Sequence, residues 1–232
     1  MTTKSEVKLL GAWPSPFVLR AKIALNLKSV NYEFHEEIFG SKSQLLLESN
    51  PVYKKIHVLI HGDKPICESL IIVHYVDECW SSGPSILPSH PYDRAIARFW
   101  ATYFDDKLFP TMRSIVGAQG DDERKRLLQE VREGLALVED AFNKISKGKA
   151  YFGGDQIGYL DIAFGSFMGW LRVHEASNGV KFLDQGTTPG LVNWAERFGT
   201  HDAVKDVLPE TGKLMEFAKF MKAKMAAASA PK

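Results

Sequence analysis

The sequence predicts an α/β amino-terminal domain with a mixed four-stranded sheet, followed by a carboxy-terminal domain made only of helices. Three observations lead there. Short apolar strands and amphipathic helices alternate through the first 80 residues in the order β-α-β-α-β-β-α. Composition shifts at Ser81-Ser-Gly-Pro84 and again at Pro88-Ser-His-Pro91. Beyond those shifts the strand signals stop and long helical patterns take over.

The elements follow in order. Val7-Lys-Leu-Leu10 is a short apolar strand stopped by Gly11. Ser15-Pro16 opens a helix, because Ser is a favoured N-cap and Pro at the first helical position loses no hydrogen bond. Val18, Ile23, Ala24 and Leu27 supply its apolar face to about Lys28. Tyr32–Glu36 alternates as a second strand, and Ser41–Glu48 reads as a short helix ended by Asn50-Pro51. Val58–Ile60 and Pro65–Cys67 flank His61-Gly-Asp-Lys64, which has the length and the glycine of a hairpin turn. Glu68–Cys79 is a third helix. A crossover pair, a hairpin and a packing helix make a mixed sheet.

After the linker at 81–91, one long helix is expected from Tyr92 to about Val116, kinked by Pro110. A second runs from Asp121 to about Ser146, and a third, the most apolar, from Tyr159 to about Ser177. Shorter amphipathic helices follow Pro189 and Pro209. Gly158-Tyr-Leu-Asp161 specifies a helix start. Asp161 can accept the backbone N–H of the N-cap, and Ile157 can staple onto Ile162. This is read as a folding device. The domains are therefore 1–80 and 92–225, and 226–232 is read as a frayed tail.

Composition narrows the function. Of 232 residues, 45% are hydrophobic and 25% charged, as in ordinary soluble globular chains. The formal charge of +1 gives no general electrostatic hold on nucleic acid or an anionic membrane. No apolar run reaches the ~18 residues of a membrane span. The polar start, Met1–Glu6, is not a secretory signal, and two cysteines, Cys67 and Cys79, suggest a reducing compartment. The expected location is the cytosol. The seven histidines are scattered without metal-ligand spacing, and dinucleotide, P-loop and nucleophile-elbow motifs are missing, so no metal or resident cofactor is expected.

Two helix starts remain as places for chemistry. Trp13-Pro-Ser-Pro16 puts a hydroxyl beside exposed backbone N–H groups, an anion site at which a ligand thiol ionises more easily. A plain Ser N-cap, worth about 1 kcal/mol, accounts for the same residues. Glu68-Ser69 opens the third helix directly after a strand. Ser69 could hold a carboxylate and Glu68 an ammonium, while Lys42 and Lys55 could hold a second carboxylate. A zwitterionic thiol peptide fits that set. Solvated lysines and a first-turn Glu complementing the helix dipole fit the same residues.

Trp13-Pro-Ser-Pro-Phe17, Asn50-Pro-Val-Tyr-Lys-Lys-Ile56, Pro65-Ile-Cys-Glu-Ser-Leu-Ile-Ile72 and Gly158-Tyr-Leu-Asp-Ile-Ala163 together resemble plant tau-class glutathione transferases, over nearly the whole chain. The resemblance implies a thioredoxin-like first domain, a helical second domain, a homodimer, and glutathione as cosubstrate. It implies that Ser15 is catalytic and hydrogen-bonds the sulfur. By the same resemblance Lys42 meets the glycine carboxylate, Lys55 and Ile56 line the cysteine and glycine portion, and Glu68 and Ser69 hold the γ-glutamyl group. Trp13, Phe17, Phe39, Phe109, Arg113, Val116, Trp170 and Phe217 match its pocket for hydrophobic electrophiles. Trp170 and Phe217 fit a plain helix core as well.

The chain departs from the family at one position. The family places a cis proline after the Lys-Lys-Ile run, where this sequence has His57. A cis bond before a non-proline residue costs about 2.5–4 kcal/mol, so of two open outcomes, a strained cis bond or a trans one, trans is favoured, with displaced Ile56 backbone groups and weaker glutathione binding expected. The imidazole is expected in solvent. The leading expectation is a glutathione transferase, with reduction of organic peroxides as a side activity. A weakly catalytic carrier of apolar metabolites on the same fold is the alternative. A thiol-transferase needs a cysteine where Ser15 stands, and Cys67 reads as a buried strand residue.

Overall fold

A computed structural model describes residues 6–81 and 83–228, with side chains to Lys224. The amino-terminal domain holds β1 (Val7–Gly11), α1 (Pro16–Leu27), β2 (Glu33–Glu36), α2 (Gln44–Ser49), β3 (Val58–His61), β4 (Lys64–Cys67) and α3 (Ser69–Cys79). The strands lie in the order β2-β1-β3-β4. β1 runs parallel to β2 and antiparallel to β3, and β3 and β4 form a hairpin. Gly62 turns that hairpin with φ of +64°, a conformation open to glycine at little cost.

Alternation along the strands separates two cores. Leu9 and Leu59 face Ile23 of α1 and Ile72, Val73 and Val76 of α3. Leu10, Val58 and Ile60 face Leu46 of α2 on the other side. All but Leu46 and Ile60 are fully buried, and those two are nearly so. The sheet is thus covered by α1 and α3 on one face and α2 on the other.

The second domain holds α4 (Pro91–Tyr103), α5 (Phe109–Ser114), α6 (Asp121–Ser146), α7 (Tyr159–Gly165), α8 (Met168–Asn178), α9 (Pro189–Thr200), α10 (Asp202–Lys205) and α11 (Thr211–Ala228). Leu127, Val131, Leu135, Val138 and Phe142 form the buried stripe of α6, at the spacing of one helix face. Helix α11 continues past Ala226, where the sequence reading begins a tail; the rest of that tail, 229–232, lies outside the described residues.

Two helices expected as continuous are interrupted. Between α4 and α5 the residues Phe104–Leu108 form a π turn, in which Phe109 N–H reaches back to the Phe104 carbonyl. Pro110 explains its place. Its ring has no N–H for the Asp106 carbonyl and would collide with it in a regular helix, and a wider turn relieves the collision. The helix expected over 159–177 breaks between α7 and α8. Phe167 N–H bonds the Phe164 carbonyl at 3.1 Å instead of the Ala163 carbonyl, because Ala163 oxygen is already taken by Arg20 and by the Ser166 hydroxyl. Gly165 lets Phe198 pass: a Cβ there would lie 2.3 Å from its ring.

The helix start at Gly158 forms as read from the sequence, and it gathers more than one element. Asp161, fully buried, accepts Gly158 N–H at 2.9 Å, Gly153 N–H at 2.8 Å, Phe152 N–H at 2.8 Å and Trp194 Nε1 at 2.7 Å. Ile157 and Ile162 are both fully buried beside it. Asp161→Ala leaves these donors unpaired in the core. A loss of at least about 3 kcal/mol is expected, read as a lower midpoint in denaturant unfolding.

Candidate active site between the two domains

Ser15 caps α1 in extended geometry (φ −78°, ψ 117°), and its Oγ accepts Val18 N–H at a long 3.4 Å. Pro16 at the first helical position has no N–H, so the first donors of the helix come from Phe17 and Val18, the second of which meets Ser15 Oγ. The hydroxyl spends an acceptor lone pair on the helix and keeps its own proton to donate. Ser15 N–H donates to Ala12 oxygen at 3.0 Å, which closes the turn.

A cleft of about 240 Å³ adjoins this turn at Ala12. Lys42, Lys55 and Ile56 line it together, with Phe39 from the acceptor set. Lys54 and Glu37, unremarked in the sequence, line it too. Glu37 is buried and braces the loop by accepting the Ser43 hydroxyl and backbone N–H, while Ser43 caps α2. Asn50 shapes the far wall: its Nδ2 donates to Lys55 oxygen at 2.9 Å and its Oδ1 accepts Tyr53 N–H at 3.1 Å. The cleft does not include Ser15, Glu68 or Ser69, which stand at the starts of α1 and α3.

Glu68 is the N-cap of α3 with φ of +71°, a region few residues other than glycine occupy. It is exposed, and Ser69 beside it is buried. Ser69 Oγ accepts from Arg20 Nη1 at 3.2 Å, which leaves the Ser69 proton to be given to a ligand. Arg20 is fully buried and is the group sequence reasoning missed. It makes a two-pronged pair with Asp105 at 2.6 and 2.8 Å and donates twice to Ala163 oxygen. Its guanidinium lies 5.3 Å from the Phe17 ring and 5.0 Å from the Phe167 ring. The signal was present: Arg20 stands in line with Phe17, Ala24 and Leu27 on the apolar face of α1.

The acceptor set divides in two. Phe217 of α11 gathers Trp13 at 5.7 Å, Phe39 at 5.4 Å and Trp170 at 6.4 Å between ring centroids. Phe17 meets Phe109 at 5.8 Å, with Phe167 between them at 5.2 and 4.4 Å, and Arg113 lies over Phe109 at 5.9 Å. Val116 is exposed on the 3-10 turn after α5. Phe39 belongs to both the cleft and the Phe217 group, so the two regions share a wall.

His57 corrects the sequence reading twice. The Ile56–His57 peptide is cis, not trans, and the imidazole is buried at 9% exposure, not in solvent. Packing fixes both flanks: Ile56 packs against both cores, and the His57 ring stacks on Phe17 at 6.0 Å. Cys67 is half-buried instead of buried; its Sγ lies 3.8 Å from Ser49 oxygen, and burial followed by the Glu68 charge raises its pKa.

The family profile described as the glutathione S-transferase N-terminal domain matches residues 5–78, and that of the C-terminal domain matches residues 94–202. A tau-class glutathione S-transferase from mango, Mangifera indica, superposes with a TM-score of 0.92 at 66% identity, over 94% of this chain and 99% of that one. The chain belongs to the tau class of the glutathione S-transferases. Glutathione S-transferase U18 of Arabidopsis thaliana is 63% identical over 92% of this chain and 95% of its own length. Rice GST1 in complex with glutathione superposes with a TM-score of 0.86 at 34% identity, over 95% of this chain and all of that one. In this transferase no helix among the described residues is long and apolar enough to cross a membrane, and no cluster of three His, Cys, Asp or Glu among them could hold a metal ion.

Burial in the transferase sets its acid sensitivity. Burial, then the Arg20 charge, lowers the His57 pKa to about 4, and burial lowers that of His174 to about 4. Burial outweighs four hydrogen bonds to push Asp161 up to about 6. Between pH 6.5 and 4 the unfolded chain binds protons at the two histidines that the folded chain excludes, so stability falls as pH falls. Asp161 opposes this between 6 and 3.8, because its folded form holds the proton more tightly. The three groups together leave about one proton, a loss of about 1.4 kcal/mol per pH unit. His74, lowered first by burial, adds in the same direction, so denaturant unfolding across this range is expected to show at least that slope, and His57→Gln to reduce it.

Proposed function

We propose that this transferase joins the glutathione thiolate to hydrophobic electrophiles, with Ser15 as the hydroxyl that keeps the sulfur charged. One observation carries the reading: Ser15 caps α1 with its proton free, in a turn that adjoins the Lys42–Lys55–Ile56 cleft and the Phe39–Phe217 wall. Lys42 takes the glycine carboxylate, Lys55 and Ile56 the cysteine and glycine portion, Glu68 the ammonium and Ser69 the γ-glutamyl carboxylate. The glutathione held by the similar rice protein supports a tripeptide in this place.

Thiol pKa falls at a helix start because the N-terminal partial charge and hydrogen-bond donors favour the anion. The thiol proton leaves to solvent. The thiolate then displaces a leaving group from an electrophilic carbon: a carbon–sulfur bond forms, and the carbon–halogen bond breaks with its electron pair going to the halide. No electrons change owner overall, so glutathione is the only co-reactant the step needs. The same thiolate reduces organic peroxides as a side reaction, two glutathiones becoming a disulfide as the peroxide becomes alcohol and water. The protein contributes orientation and thiol acidity. The aromatic walls suit flat apolar acceptors. The cytosol belongs to this reading, with Cys67 and Cys79 as free thiols.

With a chlorinated nitroaromatic acceptor, Ser15→Ala is expected to lower kcat/KM about 10–100-fold at neutral pH. Undiminished turnover would falsify the role of Ser15. Tight binding of a hydrophobic dye with no binding of glutathione would assign the protein a carrier role instead.

A homodimer is part of the proposal. Val52 and Tyr53 after α2, Ile71 on α3, and Tyr92 and Phe99 on α4 are large apolar side chains more than half exposed. Sedimentation is expected to find two chains, and Phe99→Asp with Val52→Asp to give single ones. A wild-type monomer at micromolar concentration would remove the dimer.

A further inference from the structure

The peptide unit between Pro14 and Ser15 is pinned at both polar ends. Its N–H donates to Ala12 oxygen at 3.0 Å, and its C=O accepts from the Trp170 indole Nε1 at 2.8 Å. One residue earlier, Trp13 N–H donates to Glu36 Oε1 at 3.0 Å. A peptide unit is planar, so holding both ends fixes its orientation and the place of the Ser15 Cα; from there the φ of −78° and the Val18 N–H on Oγ set the hydroxyl. Ala12 and Glu36 belong to the same domain as Ser15. Trp170 comes from α8, 156 positions further along the chain. Its ring stands in the Phe217 group with Trp13 and Phe39, so the acceptor wall and the Ser15 turn share this one hydrogen bond. Pro14 is buried, which restricts water from replacing the indole as donor.

We propose that Trp170 is a positioning residue for the conjugation reaction: by holding the Pro14 carbonyl, its indole N–H sets the line along which the Ser15 hydroxyl donates to the thiolate. This rests on the role given above to Ser15. Hydrogen bonds weaken steeply once donor and acceptor fall out of line. A Ser15 turn freed to shift when its Pro14 carbonyl loses the indole therefore aims the hydroxyl less well and stabilises the sulfur anion less, and the bound thiol becomes less acidic. Trp170 is then more than a wall for the acceptor, because it connects the acceptor side to the acidity of the nucleophile.

Trp170→Phe keeps an aromatic ring and deletes the N–H. The test titrates the thiolate absorbance of bound glutathione against pH, with no acceptor present. The thiol pKa is expected to rise by about 0.5–1 in W170F. At neutral pH, kcat with the nitroaromatic is expected to fall by up to about 3–10-fold, as the thiolate fraction does, with KM for glutathione changed less than about twofold because the groups that hold its charges lie elsewhere. Should W170F not fold, 3-benzothienylalanine at position 170 puts sulfur in place of the N–H on a ring of the same shape, and the same titration applies. Phe217→Leu loosens the aromatic group but keeps the indole donor, and is expected to leave the thiol pKa in place. An unmoved thiol pKa on loss of the N–H, or an equal rise in F217L, overturns the proposal. Ser15→Ala is titrated alongside. If it raises the thiol pKa and W170F does not, only the part given to Trp170 falls; if it does not, the role of Ser15 falls and this inference with it.

Discussion

A charge placed in the core must bring its partners with it. Arg20 is fully buried on the inner face of α1, and an unpaired guanidinium there would cost several kcal/mol. Its partners come from three other places: the Ser69 hydroxyl at the start of α3, the Asp105 carboxylate in the π turn after α4, and the Ala163 carbonyl near the end of α7. Phe17 and Phe167 lie close to the guanidinium. Two of the three partners belong to the helical domain. The joint between the domains is therefore a satisfied ionic network set in aromatic packing, and its geometry is far more specific than apolar contact alone.

One interruption of the long helices follows from that network, and the other, placed by Pro110, carries a member of it. A regular helix through residue 167 needs the Ala163 oxygen for the Phe167 N–H, and Arg20 has taken it. The π turn ahead of Pro110 sits where Asp105 must face α1. At Ala163 the helix gives up a regular hydrogen bond because its carbonyl serves the arginine, whereas at the π turn Pro110 removes the bond and the Asp105 side chain reaches Arg20. The same network reaches the candidate site. Arg20 occupies the acceptor side of Ser69, so the hydroxyl proton of Ser69 is directed away from it.

Local chemistry was legible in the sequence. Ser15-Pro16, the Gly62 hairpin and Asp161 each act within a few residues, and each forms as read, since capping and turn geometry depend on near neighbours. Asp161 shows where that legibility ends: its bond to Gly158 was readable, whereas those to Phe152 and Trp194 come from chain distant in sequence. Arg20 left a trace as a cation on an apolar stripe, but nothing in the sequence named Asp105 or Ala163 as its partners. Cost favours a trans His57 bond, and the ring is separately expected in solvent; the fold packs that ring on Phe17. The acceptor residues were recognisable by resemblance, yet their division into a Phe217 group and a Phe109 group depends on how α11 and α5 pack.

The two halves of the site differ in how firmly they are held, and the difference suits the chemistry. On the inner side, Arg20, Ser69 and Phe167 are buried and linked by a 3.2 Å hydrogen bond and a guanidinium–ring contact. On the outer side, Trp13 and Phe39 are 39% and 41% exposed and meet Phe217 through ring edges and tilted faces. Opening an exposed aromatic contact costs far less than breaking a buried charged network. Under the function proposed above, glutathione is one molecule with fixed charges, and a rigid frame would fit it. Electrophiles that share only reactivity and greasiness differ in shape, and a softer wall can adjust to them. A single fold can therefore hold the nucleophile in one orientation while its partners vary.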